Sequence, residues 1–217
     1  MEIYWHGQAC FEIRALSTDS KTKTRIVIDP YNNSIGLKLP LLKADLVLIS
    51  HDHDDHNNAV AVKDNPFIIK EPGEYEVKDV FVKGFFASHG QKDKEDLGKV
   101  VVYIIEAEGI KLCHLSDFGQ KEILPEQLDE VGDVDILMIP IGGKYTIDGG
   151  EAQKIANQIE PKIIIPMHYK IPGLKVDIAG VGEFLKAMGR EDLKPEDYLK
   201  IKKDDLPSET KIILLKP

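Results

Sequence analysis

The sequence predicts an α/β (α+β) fold in which two β-sheets pack face to face with helices outside them. Three observations predict it. The first half of the chain is a succession of short apolar runs separated by turn residues, as strands are. The second half alternates such runs with stretches of helical period. The 217 residues, 42% hydrophobic and 30% charged, are enough for one sizeable core in a single domain. Elements that are apolar on one face must bury it in stacked layers, and this order of elements gives sheet on sheet.

Taken from the N-terminus, residues 1–6, 10–16, 24–29 and 46–50 alternate or run apolar between polar breaks, and are expected as strands. The run Leu46-Val47-Leu48-Ile49-Ser50 is short, branched and unbroken, which marks a buried strand. Residues 67–70, 74–77, 80–87, 99–108 and 110–116 continue the series, with Glu108-Gly109 as a tight hairpin turn between the last two. Helical period covers 121–131, which follows Asp117-Phe118-Gly119, and 150–160, which follows Asp148-Gly149. It returns over 178–188 and stops before Gly189. Strands are expected between these helices at 134–140 and 162–168, and a closing strand at 211–216. The charged, weakly patterned segment 189–207 reads as a surface connection with a short helix at 195–200.

A formal net charge of -9 argues against a general polyanion binder, so nucleic acid is a disfavoured partner. Bound divalent cations would offset part of that charge locally, which leaves an anionic small molecule open as a substrate. No apolar stretch has the length needed to cross a bilayer. The start Met1-Glu2-Ile3-Tyr4-Trp5-His6 lacks the basic opening and apolar run of a secretory signal, and a cytoplasmic location is expected. The two cysteines, Cys10 and Cys113, lie in apolar runs and read as buried hydrophobes rather than a disulfide or thiolate ligands. Homo-oligomerisation is left open.

The chemistry concentrates in His51-Asp52-His53-Asp54-Asp55-His56, an H-x-H-x-D-H motif holding three of the seven histidines. It directly follows the buried run ending at Ser50, so a strand delivers it to the edge of a sheet, where a rigid scaffold presents functional loops. Imidazole and carboxylate are the ligands of zinc and similar divalent ions. Such close spacing costs little loop entropy. A solvated acidic turn is the plainer alternative, and the rest of the chain decides against it. His89 ends the run 80–89, and His168 ends the run 162–168. Asp117 closes a third such run, which also holds His114. One histidine so placed is usually a satisfied core residue; repeated placement of metal-capable groups at strand ends is not expected by chance.

These residues, with Ile3-Tyr4-Trp5-His6-Gly7-Gln8-Ala9-Cys10-Phe11, Ile28-Asp29-Pro30, Ser116-Asp117, Ile139-Pro140-Ile141-Gly142-Gly143 and Pro166-Met167-His168-Tyr169, carry a family resemblance over most of the chain. The chain resembles the metallo-β-lactamase superfamily, in particular the small metal-dependent hydrolases related to ascorbate-phosphate lactonase. The resemblance implies a four-layer αββα sandwich with the site at one edge between the sheets. It implies a dinuclear site: His51, His53 and His89 on one ion, Asp55, His56 and His168 on the other, and Asp117 bridging both. Zinc is the first expectation for both cofactors, with manganese or iron as alternatives. Two such ions about 3.5–4 Å apart can share a hydroxide, because a bound water's pKa falls to roughly 7. The expected activity is hydrolysis of an ester, lactone or phosphodiester bond in a small molecule, with Asp55 and Asp117 as the catalytic carboxylates. A nuclease of the same superfamily and a non-hydrolytic di-iron redox or sensing protein are the competing readings.

Asp29 ends a strand before Pro30; the resemblance places it behind the ligands, orienting their loop through hydrogen bonds. His114 is expected behind the ligands or in the core. His6 and Gln8 depart from the family pattern, which has an apolar residue at the first position and a histidine at the second; neither is read as a ligand. Asp52 and Asp54 are read as solvated or loop-stabilising. Lys144 and Tyr145, after Gly142-Gly143, and Tyr169, beside His168, are candidate substrate contacts, with Lys144 suited to an anionic group.

Overall fold

The computed structural model describes residues 1–17, 22–90 and 97–217. The first sheet takes β1 (Glu2–Trp5), β2 (Phe11–Leu16), β3 (Lys23–Ile28), β4 (Leu46–Leu48) and β5 (Phe67–Ile69). Strands β1 to β3 form an antiparallel meander, and β4 and β5 add to it in parallel. The second sheet takes β6 (Gly73–Val77), β7 (Val80–Ser88), β8 (Lys99–Ala107), β9 (Ile110–His114), β10 (Ile136–Pro140) and β11 (Ile163–Met167). Its outer edge beyond β11 is β13 (Lys211–Ile212), and its order is β13-β11-β10-β9-β8-β7-β6.

Burial follows the sequence patterns. In β1, Ile3 and Trp5 are buried while Glu2 and Tyr4 are half-buried. The unbroken run of β8 is buried from Val100 to Ile105, as befits a strand inside a sheet. Glu108 and Gly109 both adopt left-handed φ, 54° and 69°, the geometry that lets a two-residue turn follow the twist of the hairpin β8–β9. One contiguous buried cluster draws on both sheets, with Trp5, Phe11 and Ile13 from the first and Tyr103, Leu112 and Met138 from the second. Tyr103 also ties the layers by donating its hydroxyl to the Ile49 carbonyl at 2.8 Å. Cys10 and Cys113 are both buried and free.

Helices α1 (Pro125–Val131) and α2 (Gly149–Ile159) pack on the second sheet, and α3 (Gly182–Ala187) packs on α2. Asp148 caps α2: its Oδ1 accepts from the backbone N–H of Gly150 and Glu151, and Glu151 reaches back to the Asp148 N–H. The closing strand expected at 211–216 is only Lys211–Ile212, and three further expectations shift. Helix α1 starts at Pro125 rather than at 121, because proline opens a helix without wasting a donor. Helix α3 is shorter than 178–188, because Ala179 spends its N–H on the Gly142 carbonyl and its C=O on Lys170. The helix expected at 195–200 is absent. Its end is β12 (Leu199–Lys200), which pairs antiparallel with β1 and closes that exposed edge.

Strand direction positions the site. β7 runs antiparallel to β8, and β8 to β9, so β7 and β9 point the same way, and β10 and β11 are parallel to β9. His89, Asp117 and His168 follow the C-terminal ends of β7, β9 and β11, and therefore emerge at one edge. The segment 51–56 follows β4 of the facing sheet. Among the described residues no helix is long and apolar enough to cross a membrane.

Candidate metal centre

After β4 the chain folds into a tight turn. The N–H groups of His56 and Asn57 both donate to the His53 carbonyl, at 2.9 and 3.1 Å. The turn is pinned by Asn32, which donates to the Asp54 carbonyl, and by Asn58, which donates to the Pro30 carbonyl, each at 2.8 Å. Asp54 thus serves the turn through its backbone, and Asp52 serves it by accepting from the Asn57 amide at 2.8 Å.

The seven residues expected at the site converge in two groups. His51, His53 and His89 form one, and Asp55, His56, Asp117 and His168 the other, with donor atoms in each group within 4.8 Å of one another. In the second group His56 Nε2 lies 3.4 Å from Asp55 Oδ2 and 3.3 Å from Asp117 Oδ2. His168 Nε2 lies 3.9 and 3.3 Å from the same two oxygens. Four ligands at about 2.0–2.2 Å from a tetrahedral ion stand roughly 3.3–3.6 Å apart, so three of these four spacings fit a cation and the 3.9 Å one is slightly wide. In the first group His89 Nε2 is 3.2 Å from His53 Nδ1. Asp117 Oδ2 also lies 3.8 Å from His89 Nε2 and 4.0 Å from His51 Nε2, which puts it between the two groups.

Hydrogen bonds behind the cluster aim the rings. Asp29 Oδ2 pairs with His56 Nδ1 at 3.0 Å, and Ser50 Oγ with His51 Nδ1 at 2.9 Å, which turns both Nε2 atoms inward. Asp29 in turn accepts from the Ser50 N–H at 2.8 Å and from the Ser50 hydroxyl at 2.7 Å. Ser116 Oγ lies 2.5 Å from Ser50 Oγ and completes this buried knot. His114 spends both ring nitrogens elsewhere, on the Ala9 carbonyl and the Ser116 N–H. The inward atoms His51 Nε2 and His56 Nε2, and Asp117 Oδ1, are buried without a hydrogen-bond partner. Buried polar atoms so left are costly unless something binds them, and this donor set suits a divalent cation.

Charge at the centre suits ligation too. Burial pushes the His51 imidazole down to about 3, helped by the neighbouring His56. Burial also lowers His89. Burial opposes charging of His56, but Asp117, Asp55 and Asp29 around it outweigh that and hold it well above its ordinary value. Burial would raise Asp117, yet His168 and His56 hold its carboxyl well below the usual range. The carboxylates of Asp55 and Asp117 are therefore ionised near neutrality, as ligands must be.

The cluster lines one side of an open cavity of about 570 Å³. Tyr145 lines the cavity, together with Ser34 and Lys175, which sequence reasoning did not single out. Lys144 sits outside that lining and pairs with Asp177 at 2.9 Å. Tyr169 is buried against Trp5, with ring centroids 4.9 Å apart, and burial raises its hydroxyl to about 12. Sequence reasoning also passed over Ser50 and Ser116, whose hydroxyls carry no pattern, and it set Gln8 aside. The Gln8 side chain reaches Asp55 and His168. Its one signal was that it stands where the family pattern has histidine.

Comparison with known proteins agrees with this geometry. The model of the beta-lactamase superfamily domain matches residues 2–168. A UPF0173 metal-dependent hydrolase of Thermococcus onnurineus is 32% identical over 236 aligned residues, covering 93% of this chain and all of that one. A second, from Thermoplasma volcanium, is 30% identical over 78% of this chain and 83% of its own. A crystal structure from Thermotoga maritima, of a protein assigned to the metallo-beta-lactamase superfamily, superposes with a TM-score of 0.77 at 36% identity, covering 99% of this chain and 97% of that one.

Proposed function

Because the chain belongs to the beta-lactamase superfamily and is a metal-dependent hydrolase, we propose that it uses a pair of divalent cations to cleave an ester, lactone or phosphodiester bond in a small molecule. His51, His53 and His89 would hold one cation, Asp55, His56 and His168 the other, with Asp117 shared between them. The observation that carries this reading is the position of Asp117 Oδ2, within 3.3–4.0 Å of four imidazole Nε2 atoms drawn from both groups. Zinc is favoured, since the donors are nitrogen and oxygen and zinc is the ion named for the Thermotoga maritima protein. When bound, such a pair brings a water's pKa to about 7 and polarises the carbonyl or phosphoryl group under attack.

The chain's own residues do the rest. Asp29 and Ser50 hold two imidazoles in the ligating orientation. Asp117 stays ionised and carries negative charge between the two sets of histidines. The cavity admits a small molecule, and Lys175 and Tyr145 offer a cation and a phenol to an anionic or polar group on it. The 217 residues act as one domain in this reading.

The test compares Asp55→Ala and His168→Ala with the wild type on a panel of lactones, phosphodiesters and thioesters, with metal content measured alongside. Turnover and bound metal should both be lost while far-UV circular dichroism is retained. Unchanged rates in either variant would overturn the reading.

A further inference from the structure

Gln8 is fully buried, at 0% exposure, and lies against the cluster. Its Nε2 is 2.8 Å from Asp55 Oδ2 and 2.7 Å from His168 Nε2, donor atoms of two of the four residues in the second group. The residue cannot drift away. Its backbone carbonyl accepts the His168 N–H at 3.0 Å and the Trp5 indole N–H at 2.9 Å, and its φ is a left-handed 51°.

The amide must present nitrogen, not oxygen, to Asp55, because two oxygens 2.8 Å apart with no proton between them repel. With one N–H on Asp55, the second meets His168 Nε2. An imidazole nitrogen has only a single lone pair with which to accept it. The two contacts then differ in kind. A carboxylate oxygen has lone pairs enough to accept from Gln8 and bind a cation together. An imidazole nitrogen does not. A cation entering the second group keeps the Asp55 contact and evicts the amide from His168.

We propose that Gln8 is a positioning residue that weakens cation binding by Asp55, His56, Asp117 and His168, by occupying the lone pair of His168. This rests on the paired-cation reading above. Replacing the amide should therefore tighten that site, the opposite of what loss of an ordinary supporting contact does to a metal.

The experiment titrates the metal-free full chain with cobalt(II), read by visible absorption and by cobalt content after buffer exchange. Gln8→Met removes both N–H groups at nearly constant volume. Gln8→Asn suits the left-handed backbone but withdraws the amide by one methylene, and it stands in if the methionine variant does not fold. In either variant one of the two equivalents should bind roughly three- to tenfold more tightly, the size of one hydrogen bond, with the other unchanged. The melting temperature of the metal-free variants should fall, since the bond to Asp55 is lost. A fall in melting temperature with both affinities unchanged, or with one weakened, would overturn the role of Gln8 alone. Failure of wild type and variants alike to take up a second equivalent would sink the paired-cation reading, and this one with it.

Discussion

At the scale of single residues, buried charges in this protein are answered by specific partners. Away from the metal centre the clearest case is Glu12, which is 4% exposed. It accepts from Arg14 Nε at 2.7 Å and Nη2 at 3.0 Å, and the guanidinium lies 4.4 Å from the Tyr4 ring centroid. Burial raises the Glu12 carboxyl, but His6 and Arg14 more than offset it and bring it from 4.5 to about 2. A folded value below the unfolded one means stability that is full above pH 4.5 and is lost as pH falls towards 2. Glu12→Gln should cost on the order of 2 kcal/mol at pH 7, with the gap to wild type shrinking below pH 4.5, as read by urea unfolding. A gap that does not change with pH would contradict the assignment. The residues at the centre were legible in part. Histidine and aspartate announce themselves by chemistry and by their place at strand ends. The bonds from Asp29 to Ser50 and His56 were foreseen only as a general role for Asp29, because which hydroxyl meets which carboxylate is decided by the fold. Backbone strain was barely legible: Gln8, Asp29, Ser116 and His168 are four of the ten non-glycine residues with positive φ among the described ones, and although aspartate and histidine adopt it more readily than most, nothing marks Gln8 or Ser116 for it. Each costs about 1–3 kcal/mol, and their gathering here follows the habit of functional sites.

At the scale of elements, the strands were read well because apolar runs with branched side chains have few other uses. The segment 195–200 was misread because its composition is weak and its structure comes from a partner, the open edge of β1. The helix boundaries slipped where proline or a distant backbone partner set the end. Among the described glycines the one with least room for a side chain is Gly142, in the loop after β10. A Cβ there would stand 2.3 Å from the His168 carbonyl oxygen, and backbone cannot give way as a side chain can. Gly142→Ala should cost about 1–3 kcal/mol by overpacking and should lower bound metal, because the displaced backbone is that of His168. Gly180→Ala is the control, since its Cβ would meet open space. Equal melting temperatures and metal contents for the two variants would refute the argument.

At the scale of the whole molecule, the centre is built from both sheets, with 51–56 after β4 of one and His89, Asp117 and His168 after strands of the other. A bound cation therefore links the layers as well as serving the chemistry, and anything that binds only the folded state stabilises it. A thousandfold excess of free ion over its dissociation constant gives about 4 kcal/mol. For a chain of this length, removal by a chelator should lower the melting temperature by on the order of 10 °C, reversibly on adding zinc. A melting temperature indifferent to chelation would show that the layers hold without metal.

The pairing of β12 with β1, and of β13 with β11, also bears on how the chain is made. A nascent polypeptide that has emerged as far as His168 already carries every residue of the cluster. The outer edges of β1 and β11 still wait for Leu199–Lys200 and Lys211–Ile212. At that point the ion-binding groups are all outside the ribosome while two sheet edges stay open, until the strands that seal them follow.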